Sequence, residues 1–173
     1  FANGQDLDVT GIGYSPVGDL FFDGKKVTTA DDRMLETLIV IAASANDAKI
    51  VSDEEKGNTV IGDPTEGALL TMSQKAGIVP EELALRSPRV DEIPFDSNRK
   101  MMTTFNENYF ENAIASFTKG APDIVINYCN RILLDGEEKP LTPEIRERLL
   151  AKNSEYAQQA LRCLAYAYRS WEE

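Results

Sequence analysis

The chain has 173 residues, enough to bury a sizeable core and to form one domain with at most a small excursion. Hydrophobic residues make up 42% and charged residues 27%, near the globular average, which argues against disorder, and no apolar run is long enough to span a bilayer. With 18 basic against 29 acidic residues, the net charge of −11 argues against a nucleic-acid or anionic-membrane binder, and any site for an anion must be a local basic cluster.

There is no histidine, which removes imidazole from any catalytic or zinc-binding role. Cys129 and Cys163 share no metal-ligand spacing and read as two buried thiols. The sequence opens on Phe1 without a signal-peptide pattern, and it is expected to be a piece of something longer.

Residues 1–9 carry little pattern and read as a connecting segment. A short hairpin is predicted over 11–22, with Ile12-Gly13-Tyr14 and Leu20-Phe21-Phe22 on either side of a turn at 16–18. Asp23-Gly24 marks a further turn. Asp31 and Asp32 suit a helix N-terminus. Met34, Leu35, Leu38, Ile39, Ile41 and Ala42 follow as a wide apolar stripe on a helix ending near Asn46, which predicts a well-buried helix. Residues 49–51 and 59–61 read as short strands around a charged loop, and 63–77 as a second helix. In that helix Asp63-Pro64-Thr65-Glu66 fits a capping box, with Asp63 as N-cap and Glu66 reaching back to it.

A strand over 89–95 ends in Phe95, followed by a polar run from Asp96 to Lys100. Residues 101–105 and 109–118 are predicted to form a hairpin turning at Asn106-Glu107-Asn108, with Ala113, Ala115 and Phe117 on one face. Ser116-Phe117-Thr118-Lys119-Gly120-Ala121-Pro122-Asp123 then reads as a strand-to-helix turn. Gly120 allows a sharp bend and close approach of a ligand, Lys119 sits at the rim with a mobile charge, and Pro122 suits the first position of a helix over 123–129. Thr142-Pro143-Glu144 opens a long capped helix, with Ile145, Leu149, Tyr156, Ala160 and Leu161 on one stripe. Residues 163–168 alternate as a closing strand. Paired strands with short turns, separated by helices, predict an α+β domain with a mostly antiparallel sheet and helices packed on it.

Four stretches stand out together: Gly62-Asp63-Pro64-Thr65-Glu66-Gly67-Ala68-Leu69-Leu70, Phe95-Asp96-Ser97-Asn98-Arg99-Lys100, Lys119-Gly120-Ala121-Pro122 and Leu161-Arg162-Cys163-Leu164-Ala165. In this order and spacing they resemble the nucleotide-binding domain of a P-type cation-transporting ATPase, in its calcium-pump and sodium/potassium-pump branch. The resemblance implies a single domain, 1–173, with a twisted antiparallel sheet flanked by helical hairpins, excised from a longer membrane pump. It implies ATP as ligand, with Mg2+ in the full-length pump. It implies the phosphorylation and actuator domains of the same parent chain as partners, no nucleic acid, and a cytoplasmic domain that meets the membrane only through the parent protein.

By the same resemblance Glu66, with Asp63 beside it, accepts a hydrogen bond from the adenine amino group, and a carboxylate suits that donor. Phe95 is a stacking platform for adenine, and Lys100 lies near the nucleotide. Lys119 and Gly120 form the back of the adenine pocket. Arg162 reaches the phosphates, for which a guanidinium is suited, and Cys163 and Leu164 are pocket wall. Ser97 is as in sodium/potassium pumps, whereas Arg99 is calcium-pump-like.

No phosphate-loop or kinase glycine-loop motif occurs, and the family's phosphorylated Asp-Lys-Thr-Gly-Thr motif is absent. No catalytic or metal-ligating residue is therefore assigned. The isolated chain is expected to bind ATP without hydrolysing it, as part of an ATP-driven cation translocase of calcium-pump type. A soluble interaction module without a nucleotide site is the alternative. A free-standing kinase is disfavoured by the missing metal and base motifs.

Overall fold

This computed structural model describes residues 1–30, 32–53, 57–110 and 113–172. Two units are built from them, Phe1–Arg86 and Ser87–Glu173. The architecture is α+β with antiparallel strand pairing throughout, as the alternation of strand pairs and helices predicts.

The first unit opens with a three-stranded sheet, β1 (Leu7–Val9), β2 (Leu20–Phe22) and β3 (Lys25–Val27), in that order. The predicted hairpin is displaced. Ile12-Gly13-Tyr14 is loop, and the partner of β2 is β1, inside the segment read as a connector. Thr10 and Asp19 clasp the base of that loop, Thr10 N donating to Asp19 O at 2.9 Å. The Asp23-Gly24 turn is as predicted, with φ of 47° and 73°, the left-handed pair that a two-residue hairpin requires.

Helix α1 (Arg33–Ser44) starts at Asp32, whose carboxylate accepts from Leu35 N. The other candidate cap, Asp31, lies outside the described residues. The helix is buried on more than one face, as its broad apolar stripe predicts. Leu35 and Ile39 join Leu20 in a core flanked by Leu7, Val27, Leu38, Met72, Ala76 and Ile78. The hairpin β4 (Lys49–Asp53) and β5 (Gly57–Ile61) follows, each strand reaching further into the predicted loop than expected. Helix α2 (Pro64–Lys75) and helix α3 (Pro80–Arg86) complete the unit. The sequence reading omits α3, although Pro80, Glu81 and Glu82 at its start and Arg86 at its end are ordinary helix signals.

The second unit is organised on a four-stranded antiparallel sheet of β6 (Arg89–Asp96), β7 (Met101–Phe110), β8 (Ala113–Gly120) and β11 (Ala165–Glu172), in the order β11-β8-β7-β6. The β7–β8 hairpin turns later than predicted. Asn106-Glu107-Asn108 lies within β7, where the register slips between Asn106 and Phe110 and Asn108 takes φ 60°. Alternation buries one face, with Met102, Thr104, Phe117 and Ala115 at 1% exposure or less. The Tyr109 ring meets Phe117 edge-on at 5.1 Å.

Helix α4 (Pro122–Tyr128) has Pro122 in its first turn, as expected, and packs against β8 and β11. The hairpin β9 (Arg131–Leu134) and β10 (Glu137–Pro140) was not read from the sequence. Its Asp135-Gly136 turn has the same left-handed pair as Asp23-Gly24, with φ of 52° and 75°. Helix α5 (Pro143–Gln158) is capped by Thr142, whose hydroxyl accepts from Ile145 N. It ends before Ala160 and Leu161, which the predicted stripe had included, and β11 starts two residues later than predicted. The cysteines are free and half-buried rather than buried. The Cys129 thiol donates to Val125 O at 3.3 Å, and burial pushes its pKa up against the opposing charge of Arg146.

Candidate functional site

In the second unit the strand register draws three of the four motif stretches to one end of one sheet. Asp96 pairs with Met101, Met101 with Gly120, and Gly120 with Ala165. A single row thus crosses β6, β7, β8 and β11, over about 14 Å at the usual strand spacing. Phe95 stands beside the β6 end of this row, Lys100 precedes its β7 member, Lys119 precedes its β8 member, and Leu164 precedes its β11 member.

Phe95 is 61% exposed, although phenylalanine is among the residues most often buried. Pro94 precedes it on an edge strand, and the β6–β7 register shifts between Ile93 and Asp96. Such an irregularity re-aims side chains at a sheet edge. The connection to β7 is fixed by its own polar groups. Asp96 Oδ1 accepts from Asn98 N and from Arg99 N, each at 2.9 Å, and Lys100 N donates to Asp96 O at 2.6 Å. Lys100 has φ 56°, a left-handed conformation uncommon for a residue with a side chain.

Lys119 differs from expectation. It is not a mobile charge on a rim but lies within β8 at 6% exposure, paired with Met102 on one side and Tyr166 on the other. Burial there also pushes the Tyr166 phenol well above its ordinary pKa. Gly120 is the last residue of β8 and does not make the sharp bend predicted for it. Its missing Cβ has a local reason. A methyl group there would lie 2.5 Å from Lys100 O and 2.5 Å from Met101 Cβ. The glycine lets β8 close on the start of β7, and Ala121 N then donates to the same Lys100 carbonyl at 2.9 Å.

Arg162 arrives from α5 through a left-handed turn at Ala160, φ 59°. Leu161 N bonds back to Tyr156 O and Ala160 N to Ala157 O, both at 3.0 Å, the pattern that ends a helix by a Schellman motif. Alanine occupies the position where glycine is usual. Arg162 is exposed three residues before Ala165, within about 10 Å of chain from the row, and Cys163 and Leu164 are half-buried between them.

The remaining stretch belongs to the first unit. Asp63 caps α2, its Oδ1 accepting from Thr65 N at 2.7 Å and Glu66 N at 3.3 Å. Glu66 Oε2 accepts from Asp47 N at 3.2 Å, and Glu66 O accepts from Asn46 Nδ2 at 3.0 Å. The helix start is thereby tied to the segment after α1. Gly67 is required by packing, since a Cβ would lie 2.3 Å from Val60 Cγ2.

The sheet end offers an exposed aromatic face with the exposed cations of Lys100 and Arg162 on neighbouring strands or their approaches. That combination suits a flat, anionic ligand: stacking on one side, point charge and guanidinium on the other. Among the described residues no group of three or more His, Cys, Asp or Glu side chains could hold a metal ion.

An antiparallel α+β fold carrying these stretches in this order is that of a pump's cytoplasmic domain, and the chain belongs to the P-type ATPase cytoplasmic domain N family, whose model matches residues 34–173. It is 41% identical over 143 residues to calcium-transporting ATPase 1 of Lactococcus lactis, covering 83% of this chain and 15% of that protein. A calcium-transporting ATPase of Listeria monocytogenes is 45% identical over 135 residues, covering 76% of this chain and 14% of its own length. The calcium-transporting ATPase of Bacillus subtilis is 35% identical over 170 residues, covering 98% and 19%. The chain therefore spans less than a fifth of the length of each of these relatives. Among the described residues no helix is long and apolar enough to cross a membrane.

Proposed function

We propose that this chain is the nucleotide-holding domain of a cation-transporting P-type pump of calcium-pump type. In this reading it grips ATP by the base and presents the terminal phosphate to an aspartate on the phosphorylation domain of the same parent chain. Phe95 stacks on the adenine, Lys100 lies beside the nucleotide, and Lys119 and Gly120 back the pocket. Arg162 reaches towards the phosphates, with Cys163 and Leu164 as wall. Glu66, capped by Asp63, accepts from the adenine amino group. The parent would be an integral membrane protein with this domain on its cytoplasmic side, working with Mg2+ and with an actuator domain.

The observation that carries the reading is Phe95. This phenylalanine, 61% exposed at an irregular strand end, stands at the sheet end where the Lys100, Gly120 and Leu164 segments meet. Calcium as cargo is supported by the relatives of Lactococcus lactis, Listeria monocytogenes and Bacillus subtilis, each a calcium-transporting ATPase. Binding by the chain alone should be weak, on the order of 0.1–10 mM. Stacking offers about 1–3 kcal/mol, while association costs about 4 kcal/mol or more.

The test incubates the chain with Mg-ATP and follows both binding and released phosphate. Saturable shifts with ATP, smaller shifts with GTP and no phosphate release are expected. Steady turnover proportional to protein, or equal affinity for the two bases, contradicts the reading.

A further inference from the structure

We infer that Asp96 is a positioning residue of this site: its carboxylate sets the turn that holds Phe95 and Lys100 at the end of the sheet, an inference that rests on the nucleotide reading of that sheet end.

Three bonds converge on Asp96. Its Oδ1 accepts from Asn98 N and Arg99 N at 2.9 Å each, and its carbonyl accepts from Lys100 N at 2.6 Å. The carboxylate thus fixes the middle of the connection from β6 to β7, the manner in which Asp side chains mimic a backbone turn, while the carbonyl of the same residue holds its end. The far end of the connection is pinned as well. Lys100 O accepts from Ala121 N at 2.9 Å, and the bare α-carbon of Gly120 closes against the same oxygen. Between these two fixings lies Lys100, held at φ 56°. The side chains at either end of the turn, Phe95 and Lys100, are exposed.

The fold does not need this carboxylate. Asn98 N and Arg99 N belong to an exposed turn, so water can take the place of Oδ1. Nor does an anion-binding site need it, because a carboxylate there repels phosphate. What the carboxylate supplies is geometry. It selects one conformation of the four-residue connection from Ser97 to Lys100, and with it the place of the ring and of the ammonium. Positioned groups lose their effect steeply when they are displaced by an ångström.

The test uses the 173-residue chain as wild type, Asp96→Asn, Asp96→Ala and Asp96→Glu, titrated with ATP by amide NMR well below each melting temperature. Asn keeps an oxygen acceptor in place and drops a like charge, so it should bind as wild type or up to roughly threefold tighter. Ala should bind roughly tenfold weaker, although removing a negative charge alone would strengthen binding. Glu keeps the charge but moves the oxygens by one methylene, and it should weaken binding as Ala does, so a failure of either variant to fold leaves the other to decide. The amides of Asn98 and Arg99 should lose exchange protection in Ala and Glu and keep it in Asn. Ala and Glu both binding as wild type, or Ala and Asn tightening equally, would overturn the positioning role while leaving the nucleotide reading intact. No ATP-dependent shift in wild type would overturn both.

Discussion

Glu66 and Phe95 stand in motifs of equal prominence, yet they relate to the fold in opposite ways. Around Glu66 each residue has internal work: Asp63 caps α2, Glu66 holds the Asp47 amide and the Asn46 side chain, and Gly67 makes room for Val60. At the end of β6 Phe95 lies 61% exposed, with most of its surface in solvent. A motif explained by its own helix says little about a ligand, whereas a large apolar side chain left in water where polar turns converge asks for one. Gly120 sits between the two cases. It lies at the candidate site, but its lack of a Cβ is already accounted for by Lys100 O and Met101.

That contrast can be broken at several points. The largest effect is expected for Gly120→Ala, whose new methyl group would meet backbone oxygen 2.5 Å away rather than a side chain that can swing aside. Urea denaturation should show a loss of about 1–3 kcal/mol or more. Stability equal to wild type would return Gly120 to a purely ligand-facing role. Phe95→Ala should do the reverse. Its stability should fall by less than about 1 kcal/mol, as for an exposed strand position, while ATP affinity drops by about 1–3 kcal/mol with the loss of stacking. A large stability loss with unchanged affinity would make Phe95 a packing residue after all.

Smaller effects sharpen the same contrast in the helices. Asp63→Ala removes the acceptor for Thr65 N and Glu66 N, and thermal unfolding should report a loss of about 1 kcal/mol. Ala160→Gly acts in the other direction. It relieves a left-handed alanine at φ 59° where glycine is favoured, and a gain of a few tenths to about 1 kcal/mol is expected from the same melting measurement.

What was legible in the sequence follows the strength of local signals. Helices α1, α2 and α5 were found because Asp32, Asp63 and Thr142 are cap residues that bond as caps do. The long strands β6 and β8 are legible because each ends in turn chemistry, Asp96 to Lys100 for β6 and Gly120-Ala121-Pro122 for β8. The short sheet of β1–β3 was half missed, because Leu7–Val9 pairs across a ten-residue loop that no local pattern announces. The β9–β10 hairpin is announced only by Asp135-Gly136, between strands of four residues each. Lys119 was misjudged for a general reason: lysine is almost never buried unless paired, so its default is the surface, and only the strand register puts it beside Met102 and Tyr166. The same register is why the sheet-end row could not be read in advance. Asp96 and Met101 face each other across one turn, but Gly120 and Ala165 lie far along the chain and join the row only through two further pairings.

The most direct measurement is an amide NMR titration of the wild-type chain with ATP to about 50 mM at fixed ionic strength, roughly fivefold above the weak end of the expected affinity range. The account predicts saturable shifts concentrated at the sheet end, on the amides of Phe95, Lys100, Gly120 and Leu164, while β9, β10 and the middle of α5 stay still. Shifts that gather away from that row, or no saturable shift at all, would contradict it.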